Sequence, residues 1–477
     1  MKNIFRKIGL LVIAFGMASC NAWLEVEPET DIAEDEMYKN TKGFYSVLNG
    51  IYYNIGEPEL YGRHLSWGAM DAWAGVYTLT DNVDEHKGFI AMRDFNYDTK
   101  EVRSVGSSIW ENGYRGIARA NNLIEHIEQQ DSTFFDNGQL EKNVLMGEAL
   151  ALRAFIHFDM LRVFAQAPLL DATGSYIPYV TQYPMIFNPA IPTNEVLEKI
   201  VKDLKMSKDL LATFDTLQGN KTFITNTEMR LTKSTMPDWG KFYAFRGTRL
   251  NYYAVTGLLA RVYLYAGQYD LAMKQALEIV HLVENGTLRL TEGNNIASDP
   301  KMMDGVLFCL NYSKMVEGYA NYSSGERATL YVEDPALFDP GEAADDYDKR
   351  EDLLDHNIVV KYMEDRGKEA YTGYVPLIRL SEICYIAAEC YLYVEDVEHA
   401  VQVLNMVRKA RGGKALQVDL AAGVVMDKLV NDARKDLISE GQILFMFKRL
   451  NKIYTSKGKV DAKGKLVLPK PTSESAI

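Results

Sequence analysis

Cys20 is the residue whose chemistry is easiest to read from its neighbours. Lys2, Arg6 and Lys7 give the chain a basic start, residues 8–17 are an apolar run, and Ala18 and Ser19 lead straight into the thiol. The run is about half of the ~20 residues that a membrane-spanning helix needs, so it reads as the core of an export signal. A cysteine directly after small residues is the pattern of a bacterial lipobox. There the thiol receives a diacylglyceryl group, the chain is cut before it, and the new N-terminus is acylated. The alternative is an ordinary signal peptide with a chance cysteine. Each buried methylene contributes about 0.8 kcal/mol, so several acyl chains hold a protein at a membrane without a spanning helix.

Two further stretches carry residues of a different chemistry. The first runs from Trp67 through Trp73 to Tyr77, with Asp81, Asn82, Asp84 and Arg93 after it. The second holds Tyr312, Tyr319, Tyr322 and Tyr331, with Asn311, Asn321, Glu326 and Arg327 between them. Flat rings beside amides, carboxylates and guanidinia suit a sugar, whose C–H faces stack on rings and whose hydroxyls need polar partners. If residues 73–77 are helical, Trp73 and Tyr77 share a face and Trp67 does not. The candidate glycan contacts are therefore Trp67, Trp73, Tyr77, Tyr312, Tyr319 and Tyr322, each of which could equally well fasten its loop to a scaffold. Trp110 reads as core.

Other chemistries are poorly supported. There is no HExxH, no GxSxG elbow, no phosphate-binding P-loop and no Cys–His spacing for zinc, so no catalytic residue, metal or cofactor is expected. Asp345, Asp346, Tyr347 and Asp348 with Glu342 could supply oxygen ligands to calcium, but the run lacks the spacing of a known calcium loop and reads better as a solvated acidic turn. Cys384 and Cys390 lie six residues apart on one apolar helix and cannot bridge, and with Cys309 they read as buried small hydrophobes. The full-length net charge is −13. Loss of residues 1–19, with three basic side chains and no acid, leaves about −16, which argues against nucleic acid and anionic lipid head groups as partners, since both reward basic surfaces.

The elements that must position these residues are helical. Residues 41–54 and 107–130 are amphipathic, and residues 144–164 are apolar nearly all round, which marks a buried central helix. Its charges, Glu148, Arg153, Asp159 and Arg162, must then be paired with neighbours. Another helix starts after Pro192, with Thr193 as its expected N-cap. Residues 257–281 and 381–411 each give an apolar helix, a short polar turn and an alanine early in a second helix. That is the helix-pair logic of a tetratricopeptide repeat. Long irregular stretches, 55–106, 166–192, 218–248 and 291–378, separate the helices, and loops of that length are usually functional. The expected organisation is a signal peptide at 1–19, a lipid-anchored acidic spacer at 20–40, and one mostly α domain over 41–477, built of tetratricopeptide-like pairs with a long-loop binding face.

Several blocks, in order along the chain, resemble the SusD/RagB glycan-binding lipoproteins of the Bacteroidetes outer membrane. They include Trp23-Leu24-Glu25-Val26-Glu27-Pro28 after the lipobox, Arg119-Ala120-Asn121-Asn122 in the second helix, and Gly147-Glu148-Ala149 through Asp159-Met160-Leu161-Arg162 in the central one. Further on come Ala260-Arg261, Arg379-Leu380-Ser381-Glu382, Val407-Arg408, Arg411-Gly412, Asp436-Leu437, Glu440-Gly441 and Leu468-Pro469. Asp348-Lys349-Arg350 resembles a signature of the family. The chain departs from the pattern at Ile443 and Met446, where the family usually has an arginine and an aspartate.

The resemblance implies a non-enzymatic protein, lipid-anchored on the extracellular face of the outer membrane. It would capture oligosaccharide and deliver it to a partner SusC-like TonB-dependent transporter; some relatives carry peptides instead. Two rivals stand beside it, a lipid-anchored tetratricopeptide scaffold that binds proteins and a lipid-anchored glycoside hydrolase. Which glycan is bound is not legible in the residues.

Overall fold

The computed structural model describes residues 36–185, 187–338, 348–455 and 458–471. Cys20, its leader, most of the spacer, and Glu342 with Asp345 to Tyr347 lie outside the described residues. Asn40 caps α1 (Thr41–Ile55) by accepting from the Gly43 N–H. Two short helices, α2 (Ala69–Trp73) and α3 (Asp84–Arg93), and strand β1 (Tyr77–Thr78) follow, in a stretch expected to be irregular. Thr99 caps α4 (Lys100–Gln129) through the Val102 N–H, so this helix starts earlier than the expected 107. Next comes α5 (Gly138–Phe164), buried all round from Gly147 to Phe164 as its apolar residues require.

Strands β2 (Ser175–Ile177) and β3 (Ile191–Pro192) close a hairpin that feeds α6 (Thr193–Asp215). Thr193 is not the N-cap. Pro192 occupies that position, and the buried Thr193 hydroxyl donates instead to the Gly174 carbonyl. Residues 218–248 are less irregular than expected, since they contain α7 (Gln218–Thr225) and α8 (Thr227–Thr232). The first repeat-like pair is α9 (Tyr252–Tyr265) with α10 (Tyr269–Glu284).

The long stretch 291–378 holds β4 (Val306–Asn311), α11 (Met315–Ala320), β5 (Tyr331–Val332), β6 (Leu354–Asp355), β7 (Ile358–Val359) and most of β8 (Tyr374–Arg379). The second pair is α12 (Leu380–Tyr393) with α13 (Val397–Ala410). The chain ends in α14 (Ala422–Asp436), α15 (Gln442–Leu450) and a hairpin of β9 (Lys452–Thr455) and β10 (Gly458–Asp461). Among the described residues no helix is long and apolar enough to cross a membrane.

Both expected helix pairs form, and a buried ion pair joins them: Arg261 of α9 donates to Glu382 of α12 through Nε at 2.6 Å. Every charge on the central helix finds a partner. Arg153 meets Asp203 at 2.7 Å, Arg162 meets Asp159, and Glu148 meets Arg246 and Arg249. A second network surrounds Arg350, whose guanidinium reaches Asp348 and Asp432, each at 2.7 Å, with Asp436 beside it. Arg408, Arg411 and Lys435 complete it. The Asp348-Lys349-Arg350 motif is therefore scaffold. Burial drives the Asp348 carboxyl up, but Arg350 and Lys435 outweigh it and hold it down at about 2. Cys309, Cys384 and Cys390 are free and buried, as their surroundings predicted.

The candidate functional site

The two aromatic loops meet. Strand β1 pairs antiparallel with β5, setting Tyr77 opposite Val332 and Thr78 opposite Tyr331, and β5 continues through β7 to β6 in one four-stranded sheet. Side chains fasten the junction. The Thr78 hydroxyl donates to Glu333 at 2.6 Å, and the Glu333 N–H donates to the Val76 carbonyl at 2.8 Å. His86 accepts from the Thr80 N–H through Nδ1, which leaves Nε2 to donate to the Ala328 carbonyl at 3.0 Å. That pattern fits the neutral ring. Arg327 donates to the Asn82 carbonyl.

Most of the expected glycan contacts lie beneath this junction. Trp67 is 1% exposed; its ring meets Tyr319 and Tyr322 edge-on, with centroids at 4.9 and 5.2 Å, and its indole N–H donates to the Gly62 carbonyl. Tyr319 is fully buried and donates to the Val359 carbonyl at 2.9 Å. Tyr77 donates to the Trp67 carbonyl at 2.8 Å. Tyr312 is buried and Tyr322 half-buried. Trp67, Tyr319 and Tyr312 thus present no free face to a sugar. A loop that must hold its shape without long strands or helices uses its largest rings as its own core.

What the junction leaves open is a cleft of about 360 Å³, lined by Trp73, Tyr77, Arg93, Phe95, Glu333, Asp334, Arg434 and Tyr454 with smaller neighbours. That volume lies within the ~300–1,000 Å³ typical of ligand pockets. Trp73 and Tyr77, 2% and 1% exposed, underlie the cleft as support more than as open stacking faces, and the Trp73 indole N–H donates to the Tyr97 hydroxyl at 3.1 Å. Tyr454, half-buried and stacked on Phe447, forms the wall that the β9–β10 hairpin contributes. Tyr331, 40% exposed, stands next to the cleft on β5.

The polar side is mixed. Arg434 donates to Asp334 at 3.2 Å, and Arg93 pairs with its neighbour Asp94 at 2.9 Å. Burial lowers the Arg434 pKa more than Asp334 restores it, so this guanidinium is under-compensated where it faces the cleft. Donors and acceptors are interleaved, and no single sign of charge prevails. Such a lining matches hydroxyls better than an ionised ligand.

Of the expected glycan contacts, Trp73 and Tyr77 border this cleft, and so does Arg93 from the same loop; Phe95, Glu333, Asp334, Arg434 and Tyr454 were not singled out from the sequence. Arg434 and Tyr454 come from distant helical and hairpin segments, and no local pattern marks them.

Comparison with known proteins agrees with this architecture. Residues 23–219 match a SusD-like family model described as "Starch-binding associating with outer membrane". The SusD-like protein P2 of Formosa agariphila is 22% identical across 98% of this chain and 96% of its own length. The chain is thus SusD-like in sequence over residues 23–219. Its fold is that of solved relatives: a SusD-like carbohydrate binding protein from Bacteroides vulgatus superposes with a TM-score of 0.69 at 19% identity, covering 92% of this chain and 96% of that one. A SusD superfamily protein from Bacteroides thetaiotaomicron gives 0.68 at 20% identity, over 92% and 98%.

Proposed function

We propose that this protein is a surface lipoprotein that captures oligosaccharide in the loop cleft and hands it, uncleaved, to a partner TonB-dependent transporter in the outer membrane. The observation that carries the reading is the convergence of two aromatic loops, far apart in sequence, on one cleft whose lining interleaves rings with donors and acceptors. The description of the matching family, starch-binding and associated with the outer membrane, supports the ligand class and the location. The carbohydrate-binding neighbour supports the same ligand class. Cys20 supplies the expected anchor, and delivery to a transporter follows from the family resemblance.

Incubating the mature chain with a panel of polysaccharides tests capture against catalysis. Retention of a glycan with no shortened product is the expected result. Release of oligosaccharides would establish a hydrolase instead. Protease treatment of intact cells tests display on the outer face, where the protein should be digested while periplasmic markers survive.

A further inference from the structure

A second aromatic cup, sharing no lining residue with the first cleft, lies where α1 meets the segment before α9. Its volume is about 280 Å³. Tyr52 of α1 and Tyr374 of β8 form its floor, Phe242 and Phe245 its walls, and Asn49, Lys241 and Asn311 part of its rim.

Three of the four rings are already occupied. Phe242 stacks on Tyr45 at 3.6 Å and carries the Arg249 guanidinium at 4.2 Å. The Tyr52 hydroxyl donates to Glu148 and accepts from the Leu250 N–H, both at 2.9 Å. The Tyr374 hydroxyl donates to the Leu231 carbonyl at 2.8 Å.

Phe245 differs from them. Its ring meets no other ring among the described residues and is 36% exposed, and its backbone sits in the left-handed region at φ 54°. A bulky residue there is uncommon and persists only where its surroundings impose it. The surroundings are firm. The next residue, Arg246, is locked between Asp215 and Glu148 inside the core, and the Thr248 N–H donates to the Phe245 carbonyl at 2.9 Å. The fold thus holds an apolar ring partly exposed, in a backbone conformation that a bulky residue seldom adopts. Beside it the side chains of Asn49, Lys241 and Asn311 make no hydrogen bond among the described residues.

We propose that this cup is a second sugar-binding site, in which one neutral pyranose unit lays its C–H face on Phe245 and its hydroxyls on the Asn49 and Asn311 amides and the Lys241 ammonium. Amides both donate and accept, as hydroxyls require, and one free ring face is what a single sugar unit needs. This site stands apart from the loop cleft, and either could bind without the other.

Hydrogen–deuterium exchange of the full chain with malto-, xylo-, galacto- and manno-oligosaccharides tests it. A binding sugar should protect residues 241–249 in the wild type and equally in Arg434→Gln, which alters only the first cleft. Phe245→Asn, which keeps a residue type that tolerates the left-handed backbone, should abolish that protection and weaken binding at the cup by about tenfold. Asn311→Ala, on the exposed rim, serves as a second variant with no backbone demand and should also lose it. Protection confined to residues 73–95 and 331–334 would overturn the second site and leave the first standing. Failure of every saccharide to bind would overturn both.

Discussion

Asp71 shows how much of this molecule's chemistry is spent on shape. It is fully buried beneath the loop junction, where Oδ1 accepts from the Gly441 N–H at 3.0 Å and Oδ2 has no hydrogen-bond partner among the described residues. Burial pushes its pKa to about 8, against the help of backbone donors at Ser439 and Gly441. An acid whose pKa is raised on folding binds a proton in the native state that the unfolded chain has released. Its contribution to stability therefore falls as pH rises from about 4 to about 8, by up to about 1.4 kcal/mol per pH unit, and levels off above. Asp71→Asn should remove that dependence. Denaturant midpoints of the two proteins measured from pH 4 to 9 should diverge in favour of the variant as pH rises; parallel curves would show that Asp71 is ionised throughout.

Trp67 belongs to the same level. With its ring enclosed by Tyr319 and Tyr322, Trp67→Ala should cost about 3–5 kcal/mol of stability through the cavity it leaves. A folded variant of unchanged unfolding midpoint but weakened glycan affinity would return Trp67 to the binding face.

At the scale of elements, the turn between α14 and α15 couples scaffold to site. Gly441 takes φ 72°, and a Cβ there would lie 2.4 Å from the Leu65 carbonyl oxygen. No flexible side chain can yield at that contact, because the obstacle is backbone. Gly441→Ala should therefore destabilise the fold by more than the ~1 kcal/mol of left-handed strain alone. The midpoint of chemical unfolding checks this, and a loss within error of zero would mean that the loop above shifts freely.

The Arg350 network ties α14 and α13 to the segment before β6. Arg350→Met would leave Asp348, Asp432 and Asp436 facing one another without their central cation, and should cost about 3–5 kcal/mol by the same measurement. The helix pairs and the paired charges of α5 were legible in the sequence, because apolar periodicity demands burial and buried charge demands a partner. The short strands were not. β1 and β5 are two residues each, and they exist through pairing between segments some 250 positions apart, which no local pattern encodes.

For the molecule as a whole, the same division explains which site residues could be foreseen. Aromatic richness in the two loops singled out the segments that meet at the junction, but Trp67 and Tyr319 are buried beneath it. Arg434 and Tyr454, from α14 and the β9–β10 hairpin, complete the cleft. The cleft's interleaved charges suit a neutral, hydroxyl-rich ligand despite the chain's net charge of −13.

The most direct test is calorimetric titration of the mature chain, and of a Tyr331→Ala/Arg434→Gln double variant, with an oligosaccharide that the wild type retains. Removing the Arg434 partner of Asp334 should lower the unfolding midpoint somewhat, and in the variant that is still folded at the titration temperature affinity should drop by at least about tenfold, some 1.4 kcal/mol, with the sugar recovered intact. Equal affinity in the folded double variant, or a shortened sugar after titration with the wild type, would contradict capture in this cleft.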